Sequence, residues 1–405
     1  MTALESALRD EWGRLLALLV AQFRRLDLAE DGLADAFEAA ARAWPSSGAP
    51  DNPPAWLLTA ARRRILDRLR AEAVATRKLP LLAVEASLQE EAQQVMADTG
   101  VPVRDERLRL VLLCAHPSLS PGSAAALTLR LVLGVPTEDV ARLFLVPTPT
   151  MAARLTRSRK KLAGASFSVP AGPELVSRVA VVADVAYLAF TTGYAPGSGN
   201  DVLRADVAGE AIRLVRVLRS LLPASFSGAV ELDALLALML VQHSRRDARV
   251  TPDGTLVLLP DQDRSQWHAD EVAEALALLA PLVDAPASPY LLQALIAAEH
   301  AIAPTAADTD WSRIAARYAE LEELTGSPVV RLNRAVAVAE DAGPEAGLAL
   351  LDGLVLPGHR LPAARAELLA RAGRLDDART AYDEAVGRCA NLAERAHLIE
   401  RRAQL

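Results

Sequence analysis

The stretch from Ala124 to Leu162 constrains the fold most, because its signals leave room only for three short helices and two tight turns. Leu127, Leu131 and Leu133 are apolar positions of a helix that Gly134 stops, since glycine takes the left-handed C-terminal conformation at little cost. Thr137 reads as the cap of a second helix, with Glu138 and Asp139 at the positive end of its dipole and Val140, Ala141 and Phe144 inward. Pro147 ends that helix. Thr148 reads as the cap of the next, and Pro149 fits its first turn, where a missing N–H leaves no bond unmade. Met151, Leu155, Ser158 and Leu162 then form one stripe at about 100° per residue. The opposite arc holds Thr150, Ala153, Arg154, Arg157, Lys160 and Lys161, with no carboxylate among them. This is a helix-turn-helix whose last helix is shaped for a DNA major groove, with Thr150 and Arg154 toward base edges and the later basic residues toward phosphates.

At 405 residues the chain is expected to form two or three domains. Hydrophobic residues make up 51% of it but aromatics only 4%, and alanine and leucine dominate, so the expected class is all-α. Charge is uneven: residues 1–165 carry 22 basic against 19 acidic side chains, and residues 166–405 carry 22 against 32. The two parts therefore suit different partners. No signal pattern or membrane-length apolar run is evident, and Cys114 and Cys389 lie far apart, so a cytoplasmic protein without membrane contact or a paired-cysteine zinc site is expected.

Residues 1–44 read as two helices, the first apolar at Leu8, Trp12, Leu15, Leu16 and Leu19. The second has Leu33, Phe37 and Ala40 as core positions and Asp27, Glu30, Asp31, Asp35 and Glu38 on its other face. Residues 45–54 carry four prolines and read as a rigid polar loop. A basic helix follows over about 55–73, with Leu58, Ala61, Ile65 and Leu69 as its stripe; Arg63, Asp67 and Arg70 oppose that stripe, flanked by Arg62 and Arg64. Residues 79–104 read as an acidic linker.

This order of motifs resembles an extracytoplasmic-function (ECF) sigma factor of RNA polymerase. The resemblance rests on Asp27 to Phe37, Asp51-Asn52-Pro53, Trp56-Leu57-Leu58, Ala61 to Arg64 and Asp67 to Arg70 for the family's first conserved domain. Asp105 to Leu108, Cys114 to Pro117 and the helix-turn-helix carry it for the second; Thr76 to Leu79 and a long helical extension point to the subfamily with a tetratricopeptide-like C-terminal domain. It implies two small domains at 1–78 and 105–165, joined by 79–104, and an extension at 166–405. It further implies that Asp27, Glu30, Asp31, Asp35 and Phe37 dock on the polymerase clamp. Asn52, Trp56, Arg62, Arg63, Arg64, Asp67 and Arg70 would serve the minus-ten element, and Thr148, Thr150, Ala153, Arg154, Arg157, Lys160 and Lys161 the minus-35 element. Trp56 reads equally well as a core residue. The sequence departs from the pattern at Gly32, Ala34 and Ala153.

Helices are expected in the extension at Val179–Phe190, Val202–Leu222, Leu232–Ser244 and Glu271–Leu282. Near its end Ala346, Leu350 and Gly353 precede Ala378, Tyr382 and Ala385 by 32 residues each, a repeat-like period. Such stacks present a concave face to another protein or to another part of the chain. The histidines lack HExxH-type spacing and no phosphate loop occurs, so neither an enzyme nor a cofactor is expected. Asp261-Gln262-Asp263-Arg264 and Asp308-Thr309-Asp310-Trp311 read as helix caps and arginine partners. The expected function is promoter-directed initiation with core RNA polymerase on promoter DNA, the extension acting as a built-in regulator. The alternative is a helix-turn-helix regulator that works without polymerase.

Overall fold

Alanine- and leucine-rich segments with helical spacing build an all-α fold among the described residues of the computed structural model, namely 3–76, 101–144, 146–162, 164–194, 205–223, 225–251 and 257–405. The chain forms two compact units, one of Met1–Leu188 with Arg216–Phe226 and one of Ala189–Val215 with Ser227–Leu405. No helix among the described residues is long and apolar enough to cross a membrane.

In the first unit α1 (Ala3–Phe23), α2 (Leu26–Ser47) and α3 (Pro53–Thr76) pack together over Leu15, Leu16, Leu19, Leu33, Leu57 and Ile65, all nearly inaccessible. The expected polar loop at 45–54 is shorter than its prolines suggested. Pro45 lies in the last turn of α2, and Pro53 and Pro54 open α3, where no intrahelical N–H bond is due. Gly32 faces Ile65, and a Cβ there would lie 2.6 Å from its Cγ1, so glycine permits the close approach of α2 and α3.

The second group comprises α4 (Val101–Cys114), α5 (Pro121–Leu131), α6 (Thr137–Leu143) and α7 (Thr148–Leu162). Helix α4 takes in the last four residues of the expected linker, 101–104; the rest of that linker and the Arg77 to Leu79 motif lie outside the described residues. Gly134 has φ 75°, as a helix-stopping glycine should, but Pro136 rather than Thr137 occupies the cap of α6, and Leu143 rather than Phe144 is buried. Met151, Leu155, Ser158 and Leu162 are the buried residues of α7.

The two groups meet through α1, which packs on α4 and α5. Their contact is a backbone fit. A Cβ on Gly13 would lie 2.1 Å from the Val132 carbonyl oxygen, and one on Gly134 would lie 2.8 Å from the Trp12 ring. Glycine in mid-helix costs about 1 kcal/mol relative to alanine, so Gly13 is explained by what it touches. The start of α8 (Pro173–Tyr194) joins this unit: Arg178 Nη2 donates to the Leu112 carbonyl at 2.7 Å. Phe167 is buried under the Arg24 guanidinium, 5.6 Å from its ring centroid.

Helix α9 (Ala205–Leu221) precedes α10 (Ala229–Ser244) of the second unit, which is buried on nearly all sides, the mark of a central helix. Helices α11 (Ala269–Leu279) and α12 (Pro289–Ile302) pack on it. The chain then continues as consecutive helix pairs: α13 (Trp311–Thr325) on α14 (Pro328–Ala342), α14 on α15 (Pro344–Leu351), α16 (Arg360–Arg371) on α17 (Leu375–Arg388), and α17 on α18 (Leu392–Ala403). The 32-residue repeat is imperfect in space. Ala385 is buried inside α17, whereas Gly353 follows the short α15 at φ 71°, because α15 ends after eight residues. The polar clusters do cap: Asp263 accepts from Ser265 N, Asp310 from Arg313 N, and Thr305 with Asp308 forms a capping box.

His300 of α12 packs edge-on against Trp311, with ring centroids 5.2 Å apart. Burial, aided by the positive charges of Arg245 and Arg264, pushes its pKa from 6.5 down to about 4. The native state thus binds this proton less readily than the unfolded chain does. The stability it contributes is complete above pH 6.5 and is lost as pH falls toward 4, by on the order of 3 kcal/mol. Thermal unfolding between pH 7 and 4.5 should show this loss, and His300→Phe should flatten the slope. Equal slopes for the two proteins would remove His300 as the source.

Candidate nucleic-acid interface

Helix α7 turns Thr148, Thr150, Ala153, Arg157, Lys160 and Lys161 to solvent, while Arg154 is half-buried with its guanidinium 5.8 Å from the Phe144 ring centroid. The cationic arc expected from the spacing is therefore one surface, and its arginine nearest the turn is braced by an aromatic ring. Ser158 spends its hydroxyl on the Arg154 carbonyl at 2.9 Å, which makes a polar residue tolerable in the buried stripe.

The residues expected to serve the minus-ten element gather around α3. Asn52 accepts from Ala55 N at 3.1 Å, capping the helix. Trp56 is half-buried, its ring edge-on to the buried Trp44 at 5.7 Å, so part of the ring packs and the rest is accessible. Arg63 and Arg64 are exposed, Arg62 Nε donates to Gln22 at 2.9 Å, and Asp67 pairs with Arg70 at 3.2 Å.

The acidic helix departs from expectation at two positions. Asp27, Asp31 and Asp35 lie toward the surface: Asp27 pairs with Arg25 at 2.9 Å, a hydrogen bond that holds its carboxyl below the ordinary range, and Arg68 bridges Asp31 and Asp35 at 2.7 and 2.9 Å. Phe37 is buried against Trp12, with centroids 5.5 Å apart, and so supports the face from beneath. Glu30 is also buried, at 5% exposure. Its carboxylate binds Arg130 of α5 at 2.9 Å and Arg159 of α7 at 2.6 Å. Glu30 was placed on an exposed acidic face; two guanidinium groups from the helix-turn-helix take it out of solvent instead.

This triad ties the first three helices to α5 and α7. Arg130 also covers the Trp12 ring at 4.9 Å and donates to the Val135 carbonyl at 3.4 Å. A cleft of about 680 Å³ opens beside it, lined by Arg24, Asp27, Asp31, Thr156 and Lys160 among others. Breaking a buried ion pair by removing one partner typically costs 3–5 kcal/mol, because the remaining charge is stranded. Sequence reasoning did not single out Arg130 and Arg159. The available signal was that Arg159 adjoins the buried stripe of α7, where an arginine needs an acidic partner.

Comparison with known proteins gives three family matches: Sigma-70 region 2 over residues 9–74, Sigma-70 region 4 over residues 109–162, and a family of unknown function (DUF6596) over residues 178–282. An uncharacterized protein of Rhizobium meliloti (strain 1021) is 39% identical over 407 residues, covering 98% of this chain and 93% of the relative. No solved structure matches the chain.

Proposed function

Since the chain belongs to the sigma-70 family as an ECF-like sigma factor with a C-terminal extension, we propose that it directs promoter-specific initiation and that the described first unit is its unbound, latched form. The observation that carries this reading is the Glu30–Arg130–Arg159 triad, which holds a polymerase-facing helix and a DNA-facing helix in one compact body.

Size explains why such a body must open. Minus-ten and minus-35 elements lie about 25 base pairs apart, or about 85 Å along the duplex at about 3.4 Å per pair. A compact unit of about 200 residues has a radius of gyration near 16 Å and so a diameter of about 42 Å. It can touch one element but not both. Core polymerase would offer separate docking sites for the two halves and hold their spacing. In this reading α7 supplies minus-35 contacts through Thr150, Arg154, Arg157, Lys160 and Lys161. Helix α3 and the turn before it supply the minus-ten contacts, and Asp27, Asp31 and Asp35 supply the clamp-facing charge.

The primary test is co-purification with core polymerase together with transcription from a cognate promoter. Arg154→Ala or Arg157→Ala is expected to weaken promoter use by the equivalent of about 1–3 kcal/mol for a base contact and less for a phosphate contact, while polymerase binding stays intact. Wild-type transcription from both variants would displace the assignment of this face. A polymerase-independent regulator would bind its DNA without co-purifying, and that reading leaves the Sigma-70 region 2 helices without a role.

A further inference from the structure

Three side chains of metal-ligating type converge in the last helices of the second unit, and each comes from a different element. His359 precedes α16 in a turn that Gly358 makes at φ 80°. Cys389 ends α17, and Glu394 lies in the first turn of α18. His359 Nε2 is 3.0 Å from Glu394 Oε2, and one ligand atom of each of the three residues lies within 4.8 Å of the others.

Their positions are fixed by neighbours. Cys389 belongs to the apolar cluster of Ala366, Leu369, Ala381, Tyr382 and Leu398, and its thiol donates to the Asn391 carbonyl at 3.4 Å. Asn391, only 1% exposed, accepts from the backbone N–H groups of Ala393 and Glu394 at 3.0 and 3.1 Å. That cap, two residues after Cys389, fixes the start of α18 and so the position of Glu394 in its first turn.

We propose that His359, Cys389 and Glu394 form a binding site for one zinc-class divalent cation. An imidazole nitrogen, a thiolate and a carboxylate are the donors that such a cation takes. Bonds of about 2.0–2.3 Å put tetrahedral ligands about 3.5 Å apart, so closing the site needs about 1 Å of side-chain movement and no change of fold. An ordinary ion pair accounts for His359 and Glu394 and apolar packing for the burial of Cys389, but neither accounts for the convergence of all three ligand atoms within 4.8 Å. The metal–sulfur bond forms as the Cys389 proton leaves to solvent. Three protein ligands leave one position for water or an exogenous donor, unlike a closed four-ligand structural site. Occupancy would cross-link the turn before α16, the end of α17 and the start of α18, and so make the final helices of the extension responsive to metal supply. The site stands independently of the initiation reading.

The test is titration of EDTA-stripped, reduced, full-length protein with Co²⁺ alone, followed by Zn²⁺. Expected are one equivalent of Co²⁺ per chain, a sulfur-to-cobalt charge-transfer band, and loss of that band on adding Zn²⁺. Cys389→Ser should abolish the band, whereas Cys114→Ser, which alters the other cysteine in the first unit, should keep it. Glu394→Gln is isosteric at a half-exposed position, so it should fold, keep the band and bind roughly tenfold or more weakly. Uptake without a sulfur band, a band that survives Cys389→Ser, or unchanged affinity in Glu394→Gln would each overturn the site.

Discussion

Replacing Glu30 by glutamine is expected to raise promoter-dependent transcription at limiting protein concentration, even though Glu30 sits among the acidic residues of α2, the helix proposed to face polymerase. The neutral amide cannot compensate both Arg130 and Arg159, and stranding buried charge costs about 3–5 kcal/mol, enough to shift an opening equilibrium by a factor on the order of 10² to 10⁴. Each half keeps its own core, over Leu33 and Ile65 in one and Leu127 and Leu155 in the other, so opening need not unfold either. Arg159→Gln separates this effect from docking, because Arg159 lies on α7 and leaves the acidic helix untouched; it should raise transcription too, by a smaller factor because Arg130 remains. Small-angle scattering should show a larger radius of gyration for both variants. Folded variants that stay compact, or that transcribe less than wild type, would refute the latch.

Truncation after Ala165 is expected to lower transcription from a cognate promoter by roughly tenfold or more, the equivalent of about 1.4 kcal/mol or above. The reason lies in the first unit itself. Residues beyond 165 contribute Phe167 beneath Arg24 and Arg178 on the Leu112 carbonyl, and burial lowers the pKa of that arginine, as expected of a guanidinium drawn out of water. The cut would remove the donor to the Leu112 carbonyl and the ring beneath Arg24. A chain ending after Phe226 retains both segments of the first unit and should keep more activity than the shorter one. Multi-round transcription with equal amounts of soluble full-length, 1–226 and 1–165 protein decides it. Equal activity from all three would mean that the extension takes no part in initiation, and an increase on truncation would mean that it masks the DNA-reading helices.

What the sequence made legible was local. A period near 3.6 placed Met151, Leu155, Ser158 and Leu162 on one buried stripe, Gly134 marked a left-handed turn, and the breaks around the helices of the extension lie where proline and glycine put them. What it hid depends on partners distant in the chain. Glu30 read as one more carboxylate on a solvated face because Arg130, 100 residues further on, has no periodic relation to it. Gly32 looked like a weak helix former until Ile65 was seen against it, and His359 gave no metal signal while Cys389 and Glu394 stood 30 or more residues away. The prolines at 45 and 53–54 misled in the other direction, since the first turn of α3 has no intrahelical N–H bond to lose and Pro45 costs α2 only one bond near its end.

The glycine contacts between the two halves of the first unit give the latch an evolutionary handle. Gly13 accepts no side chain while the Val132 carbonyl is in place, and Gly134 accepts none while Trp12 is. A lineage that kept the arginines but replaced either glycine would lose the fit, and one that kept both glycines but lost Glu30 would keep the fit without the charge that fastens it. Gly13, Glu30, Arg130, Gly134 and Arg159 are thus five positions that a chain closing in this way needs together, two for the fit and three for the charge.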